Sequence, residues 1–340
     1  MLDQNENRSL QFKHRLPWVD QVKGFTIFLV VYGHNFPFIE KYIYSFHMPL
    51  FIMVAGFFHP QIARPGDISK RFRNIMIPYF LWSAMLFLFW YVLGRKYGDS
   101  AAWDLSPIKN LIGIFYSQGD RFYMDWGIPM WFLPALFVTY LLWHVLLKIQ
   151  NEIVSGIVLF AVMVIGFIYP YFTDINLPWS TNIAMVAVFF YAFGHRIFAQ
   201  INNMNRRSLI IGLVAAGLLS VLLCFLNSKV DMYRAIYGNE LYFILGGLTG
   251  SLFVIFFFRA FPIFGFLGFI GKFSLMILAL QLLAMTFIKL VLLTVFGQTD
   301  FNFSEWERFL YAILQIILMI PAFLLVNKYV PILNGGAKKI

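Results

Sequence analysis

Lys23 and His34 stand eleven residues apart in an otherwise apolar stretch, WVDQVKGFTIFLVVYGHN (Trp18–Asn35). At about 100° per residue, that spacing returns to within roughly 20° of the same helix face, and the two side chains stand about 16 Å apart along the axis. An ionisable group in such a run is costly and marks a candidate functional site. A second histidine, His47, lies at the start of the next apolar run, FHMPLFIMVAGFF (Phe46–Phe58). Helices joined by a short turn bring His34 and His47 to similar depth. Imidazole is the side chain best suited to moving a proton near neutral pH. Two histidines at one depth above a cation therefore suggest proton-transfer chemistry, with Asn35 beside them. The remaining polar groups have plainer readings. Asp20 precedes Lys23 by about one helical turn and suits an ion pair with it. His144 and His195 fall near helix ends, where they cap carbonyls or snorkel, and His14 and His59 lie at or beyond span ends. Lys289 sits toward the end of its run and snorkels. Lys70, Arg71 and Arg73 form a basic cluster that either marks the cytoplasmic side or binds a phosphate-bearing ligand.

The elements that carry these residues are long apolar runs. Of the 340 residues, 60% are hydrophobic and only 12% are charged, and the mean hydropathy is +0.74. Soluble domains carry roughly 25% charge, so most of this surface faces lipid. Runs at 18–36, 43–59, 74–94, 127–148, 153–173, 182–200, 208–227, 241–260, 270–296 and 309–330 predict an all-α polytopic membrane bundle of about ten transmembrane helices. Pro37 ends the first run and Pro49 loosens the second. The segment 95–126 reads as a loop with a short interfacial helix near Ile108–Phe115. Residues 1–17 and 334–340 read as cytoplasmic tails around one membrane domain, 18–333. The polar start of the chain, with no small-residue cleavage site after the first run, is not a signal peptide.

Charge placement sets the orientation. Sixteen Lys and Arg fall on one side and eight on the other, with Lys23 and Lys289 inside spans. Four of the eight lie in the 95–126 loop. The richer side is cytoplasmic by the positive-inside rule, and it holds both termini. The net charge of +10 is therefore mostly topology and not a nucleic-acid surface. Cys224 is the only cysteine and sits in an apolar run. That excludes disulfides and cysteine metal sites, and no metal-ligand spacing occurs elsewhere.

Five segments occur in an order that resembles a known family: Trp18–Asn35, Phe46–Phe58, KRFRNIMIPY (Lys70–Tyr79), MWFLPALF (Met130–Phe137) and GKFSLMILALQ (Gly271–Gln281). Together they resemble the acyltransferase-3 membrane O-acyltransferases, most closely the fucose 4-O-acetylase and polysaccharide O-acetylase branch. The family's basic-x10-His signature falls on Lys23 and His34, and its basic-x-x-Arg motif on Lys70 and Arg73, placed in the loop after the second span. Lys23 stands where many members have arginine, which keeps the charge and loses the bidentate fork. The last block often ends in histidine, where this chain has Gln281.

The resemblance implies a multi-pass enzyme of the cell membrane. It moves an acetyl group from acetyl-CoA to a sugar hydroxyl of an envelope or secreted glycan, with no permanently bound cofactor. On this expectation the phosphates of acetyl-CoA rest near Lys70, Arg71 and Arg73, and Lys23 lines the path of the pantetheine arm. His34 takes the proton of the acceptor hydroxyl, while Asn35 and His47 orient the imidazole or stabilise the oxyanion. An acetyl-His34 intermediate is the other route. Trp131 is either a sugar platform or part of an interfacial aromatic belt. The alternative from another class is a transporter or flippase of lipid-linked glycans. It would recruit polar groups from helices along the whole chain, whereas here they gather within residues 20–73.

Overall fold

Backbone groups in hydrocarbon have no water to bond, so apolar runs of this length close their hydrogen bonds as helices. The computed structural model describes residues 16–62, 64–96, 98–298 and 301–336. His14 lies outside them, as do Arg8, Lys13, Arg15, Lys338 and Lys339 of the charge count. In chain order the helices are α1 (Pro17–Gly33), α2 (Glu40–Gly56), α3 (Asp67–Val92), α4 (Gly98–Ala102), α5 (Pro107–Tyr116), α6 (Arg121–Met124) and α7 (Phe132–Leu146). They continue with α8 (Glu152–Ile168), α9 (Thr181–Asn203), α10 (Arg206–Leu226), α11 (Glu240–Ala260), α12 (Gly265–Gly271), α13 (Ser274–Phe296) and α14 (Glu305–Tyr329). Among the described residues, eight helical segments are long and apolar enough to cross a membrane. The two remaining predicted spans are α1 and α2, each 17 residues. The chain is an all-α polytopic membrane bundle.

Three boundaries differ from the sequence reading. α1 stops at Gly33, short of residue 36. The His34 side chain bonds the Val30 carbonyl, and the chain then turns through Phe36 at φ +53°. α3 begins at Asp67, seven residues before the apolar run, because Gly66 at φ +90° redirects the chain and Asp67 sits in the first turn. Lys70, Arg71 and Arg73 therefore ride on a helix and not in a loop. The ninth predicted span, 270–296, is α13 from Ser274 onward, and its first two residues are the end of a separate helix, α12, across a break at Lys272–Phe273.

α1 and α2 form the hub. α1 packs against α2, α11, α12, α13 and α14, while α2 packs against α9, α10 and α11 as well. Lipid offers little hydrophobic drive for helix association, so close backbone approach between small residues takes its place. Two crossings show this. A methyl group on Gly24 would collide with the Leu267 carbonyl of α12, and one on Gly271 with the Asp20 carbonyl of α1. A methyl on Gly56 would strike the Tyr191 carbonyl of α9, and one on Gly194 the Met53 carbonyl of α2. At the periphery, α8 and α10 bury only 28% and 22% of their apolar windows, so they face lipid.

The end of the bundle near His34 is closed by structured loops. As expected, a helix (α5) lies within 95–126. Its buried Asn110 donates to the Ser106 and Phe122 carbonyls and accepts from the Asp125 amide. In the loop between α10 and α11, Asn227 donates to the Tyr237 carbonyl, and its own side-chain oxygen accepts from Asn239. Asp231 is buried in this loop. Its Oδ1 has no hydrogen-bond partner, and Arg234 stands 3.9 Å from Oδ2. Burial pushes its carboxyl up from 3.8 to about 6, against the opposing pull of Arg234 and Lys229.

Two predictions follow from this packing. Gly56→Ala and Gly194→Ala should each cost about 1–3 kcal/mol through overpacking. Gly156→Ala, with open space around its Cα, should be neutral or stabilising by up to ~1 kcal/mol. Thermal unfolding of the detergent-solubilised protein checks both, and equal losses at all three positions would refute the crossing argument. For Asp231, the raised carboxyl contributes stability that is fully present below its ordinary value of 3.8 and lost as pH rises through about 6. Unfolding midpoints measured from pH 4 to 7 should fall over that window in the wild type, and Asp231→Asn should flatten the fall.

Candidate active site

α1 carries Lys23 within it and His34 at its C-cap. Lys23 and His34 are both half-buried, Lys23 nearly two turns into α1 and His34 just past its last residue. His34 occupies the C-cap of α1, where its Nδ1 lies 2.7 Å from the Val30 carbonyl. His47, on α2, repeats the arrangement with Nδ1 2.8 Å from the Ile43 carbonyl. A carbonyl oxygen only accepts, so each Nδ1 carries its proton. The basic nitrogen of each neutral ring is then Nε2. Tyr44 joins the two sites: its ring packs edge-on to His47 at 5.0 Å, and it also fills the space over Gly33, next to His34. The short connection between α1 and α2 is pinned from α14. Arg308 donates to the Phe36 carbonyl, and the Phe38 amide donates to Glu305 at 2.8 Å.

Asn35 bonds its own helix and α14. Its amide donates to the Val31 carbonyl at 3.1 Å and trades hydrogen bonds with Gln315 of α14 at 3.3 and 3.4 Å. It therefore anchors the end of α1. Gln315 was not singled out from the sequence, although a glutamine midway through an apolar run is the kind of signal that would have found it.

A cavity of about 250 Å³ runs along α1 past Lys23, Ile27 and Val30, and neither His34 nor His47 is among its lining residues. Lys23, Arg71 and Asn74 line its lower part, and Phe51, Val54, Phe132 and Leu278 are among its apolar walls. The lining also includes Val30, whose carbonyl holds His34, and Met48, the neighbour of His47. The Lys23 ammonium stands 4.7 Å over the Phe58 ring, and the Arg71 guanidinium 5.4 Å over Tyr140. Of the three basic residues on α3, only Arg71 lines this cavity; Lys70 and Arg73 are exposed and outside its lining. Gln281 is buried one turn beyond Leu278, and its Oε1 has no hydrogen-bond partner. Trp131 is only 6% exposed, packed against Phe132 and beneath Gly119.

The structure also gathers three histidines that the sequence placed separately at helix ends, two of them as capping or snorkelling residues. His59, beyond the end of α2, has ring centroids of His144 and His195 at 5.7 and 5.5 Å. Its Nδ1 lies 3.0 Å from the Tyr191 hydroxyl, and Tyr140 packs at 4.6 Å. They lie on three different elements, so no local spacing announces them. Among the described residues no group of His, Cys, Asp or Glu is arranged to hold a metal ion.

A half-buried cation and an oriented imidazole on one helix, with a largely apolar cavity along the turns from Lys23 to Val30, suit transfer of a group carried on a long arm. No curated protein and no solved structure matches the chain. A family model does: the acyltransferase domain matches residues 16–328. That match runs from the first described helix to the end of the last long one, and with it the chain belongs to the acyltransferase-3 family and is a membrane acyltransferase.

Proposed function

We propose that the chain moves an acetyl group from acetyl-CoA to a sugar hydroxyl of an envelope or secreted glycan, in the cell membrane with both termini cytoplasmic. His34 is the general base. The observation that supports this reading is the His34 Nδ1 contact with Val30, because it leaves Nε2 as the basic nitrogen of a ring held by a residue that lines the cavity. The acetyl thioester rises through the cavity from the Lys23 end. His34 Nε2 takes the hydroxyl proton as the acceptor oxygen attacks the thioester carbon. The C–O bond forms, the C–S bond breaks, and the departing thiolate recovers the proton from His34. Tyr44 and His47 hold the layer in which this happens, and the pantetheine arm lies between Lys23, Ile27 and the α2 wall. Arg71, and not Lys70 or Arg73, meets the diphosphate at the mouth. An attack by His34 itself, through an acetyl-imidazole, would use the same nitrogen.

Isolated membranes supplied with labelled acetyl-CoA on the cytoplasmic side test the reading by counting label in the glycan fraction. At equal expression, His34→Ala should lower transfer by about 10²–10⁴-fold. Equal transfer by both forms would remove His34 from the chemistry. No transfer by the wild type, with acceptor present, would sink the acetyl-CoA and glycan assignment. A second measurement separates the basic residues. Arg71→Gln should raise KM for acetyl-CoA about tenfold, the effect of one lost charge-assisted contact. Lys70→Gln and Arg73→Gln should each shift it by no more than about twofold, as exposed charges do. The reverse ranking would move the donor to the other face of α3.

A further inference from the structure

A second cavity, of about 520 Å³, lies on the far side of the histidine cluster, and the transfer chemistry above does not use it. Its lining is mostly polar: Gln61, Gln150, Glu152, Ser155, His195, Arg196 and Gln200, with Trp143 as the aromatic wall. Arg196 is exposed and stands 5.3 Å over the Trp143 ring, and His195 packs against that ring at 5.7 Å. Trp143 is fully buried, and its indole nitrogen has no hydrogen-bond acceptor. This is a site with one placed cation and several amide and hydroxyl groups, of a size within the ~300–1,000 Å³ usual for small-molecule pockets.

The two cavities are neighbours. Phe58 lines the first and Gln61 the second, and three residues of chain span at most about 11 Å. Between them stands a continuous stack in which each step is under 6 Å: Arg71 over Tyr140, Tyr140 on His59, and His59 on His195. The first cavity, at about 250 Å³, falls below the usual size for a whole ligand of that kind. Its cations are Lys23 and Arg71. An arm ending in a diphosphate suits it; a bulky phosphorylated nucleoside beyond that diphosphate does not.

We propose that the second cavity binds the adenosine 3′-phosphate end of the acyl donor. Arg196 meets the 3′-phosphate, and Glu152 with the glutamine amides meets the ribose and the base edge. The diphosphate crosses the loop at Phe58–Gln61 beside Arg71, so that one ligand occupies both cavities. This rests on the acetyl-CoA reading of the first cavity and adds a place for the part of the donor that the first cavity is too small to hold.

The test uses the full chain purified in neutral detergent and adenosine 3′,5′-bisphosphate as the probe, which carries the nucleotide without the arm. Calorimetry should show binding to the wild type, about tenfold weaker binding to Arg196→Gln, and partial recovery in Arg196→Lys. Unfolding midpoints confirm that the variants are folded. In transfer assays, Arg196→Gln should raise KM for acetyl-CoA about tenfold relative to KM for S-acetylpantetheine. If the wild type does not bind the bisphosphate, or Arg196→Gln binds it equally well, the proposal is wrong whatever the transfer assay shows. A rise in KM that is the same for both donors overturns it too. If phosphatidylglycerol at equal concentration displaces the nucleotide, the site belongs to an anionic lipid headgroup and the proposal falls. Nucleotide binding that depends on Arg196 in a protein that transfers no acetyl group would keep this site and overturn the acetyl-transfer reading alone.

Discussion

The structure depends on how closely α1 and α2 approach their neighbours. In lipid the apolar side chains of one helix gain little by leaving the bilayer for another helix. What holds two helices together is contact, and contact is greatest where a glycine lets one backbone reach the other. Gly24 and Gly271 do this between α1 and α12, and Gly56 and Gly194 between α2 and α9. Each pair is reciprocal, with the glycine of one helix against a carbonyl of the other. Side chains of ordinary size would move these axes apart and open the interior to lipid or water. The crossings therefore fix the depth and rotation of the two helices that carry Lys23, His34 and His47.

That rigidity allows polar groups to sit where they otherwise cost free energy. His34 and His47 solve the problem in the same way, by donating Nδ1–H to the carbonyl four residues earlier on their own helix. The Val30 carbonyl also accepts the His34 backbone amide, so the imidazole shares an acceptor the helix already uses. The bond orients the ring while its other nitrogen stays basic. Asn35 closes the same terminus by exchanging bonds with Gln315. The end of α1 is consequently over-determined. Its cap, its tie to α14 through Phe36 and Phe38, and its packing under Tyr44 all hold one geometry.

Much of this was legible in the sequence because it followed from period and hydropathy. The face shared by Lys23 and His34 needs only 100° per residue, and the long helices need only the length of apolar runs. What was not legible depended on tertiary contact. The start of α3 at Asp67 is set by a turn at Gly66 that has no apolar signature, so the basic residues after it read as loop. The break after Gly271 reflects the contact of that glycine with α1, and nothing in the run Ile270–Phe296 marks it. His59, His144 and His195 come from separate elements, and their meeting is a consequence of the α2–α9 and α7–α9 packing. The equal weight given to Lys70, Arg71 and Arg73 had the same origin. A motif assigns residue types, whereas helix rotation decides which one faces inward.

The placement of the cavities has a consequence for how a transfer across a membrane is arranged. A carrier that moves its whole cargo must open to each side in turn, and its polar groups must follow the path. Here Arg71 and Lys23 line a largely apolar cavity that runs along α1 to Val30, whose carbonyl holds the oriented imidazole. A cavity of about 250 Å³ suits a thin arm better than a charged nucleotide. On the proposed reading, the phosphates remain with the basic residues at the cytoplasmic end and only the arm and its acyl group enter. The acceptor then needs to reach no deeper than His34. Neither substrate has to cross the bilayer, and the glycine crossings that fix α1 and α2 have no conformational cycle to accommodate.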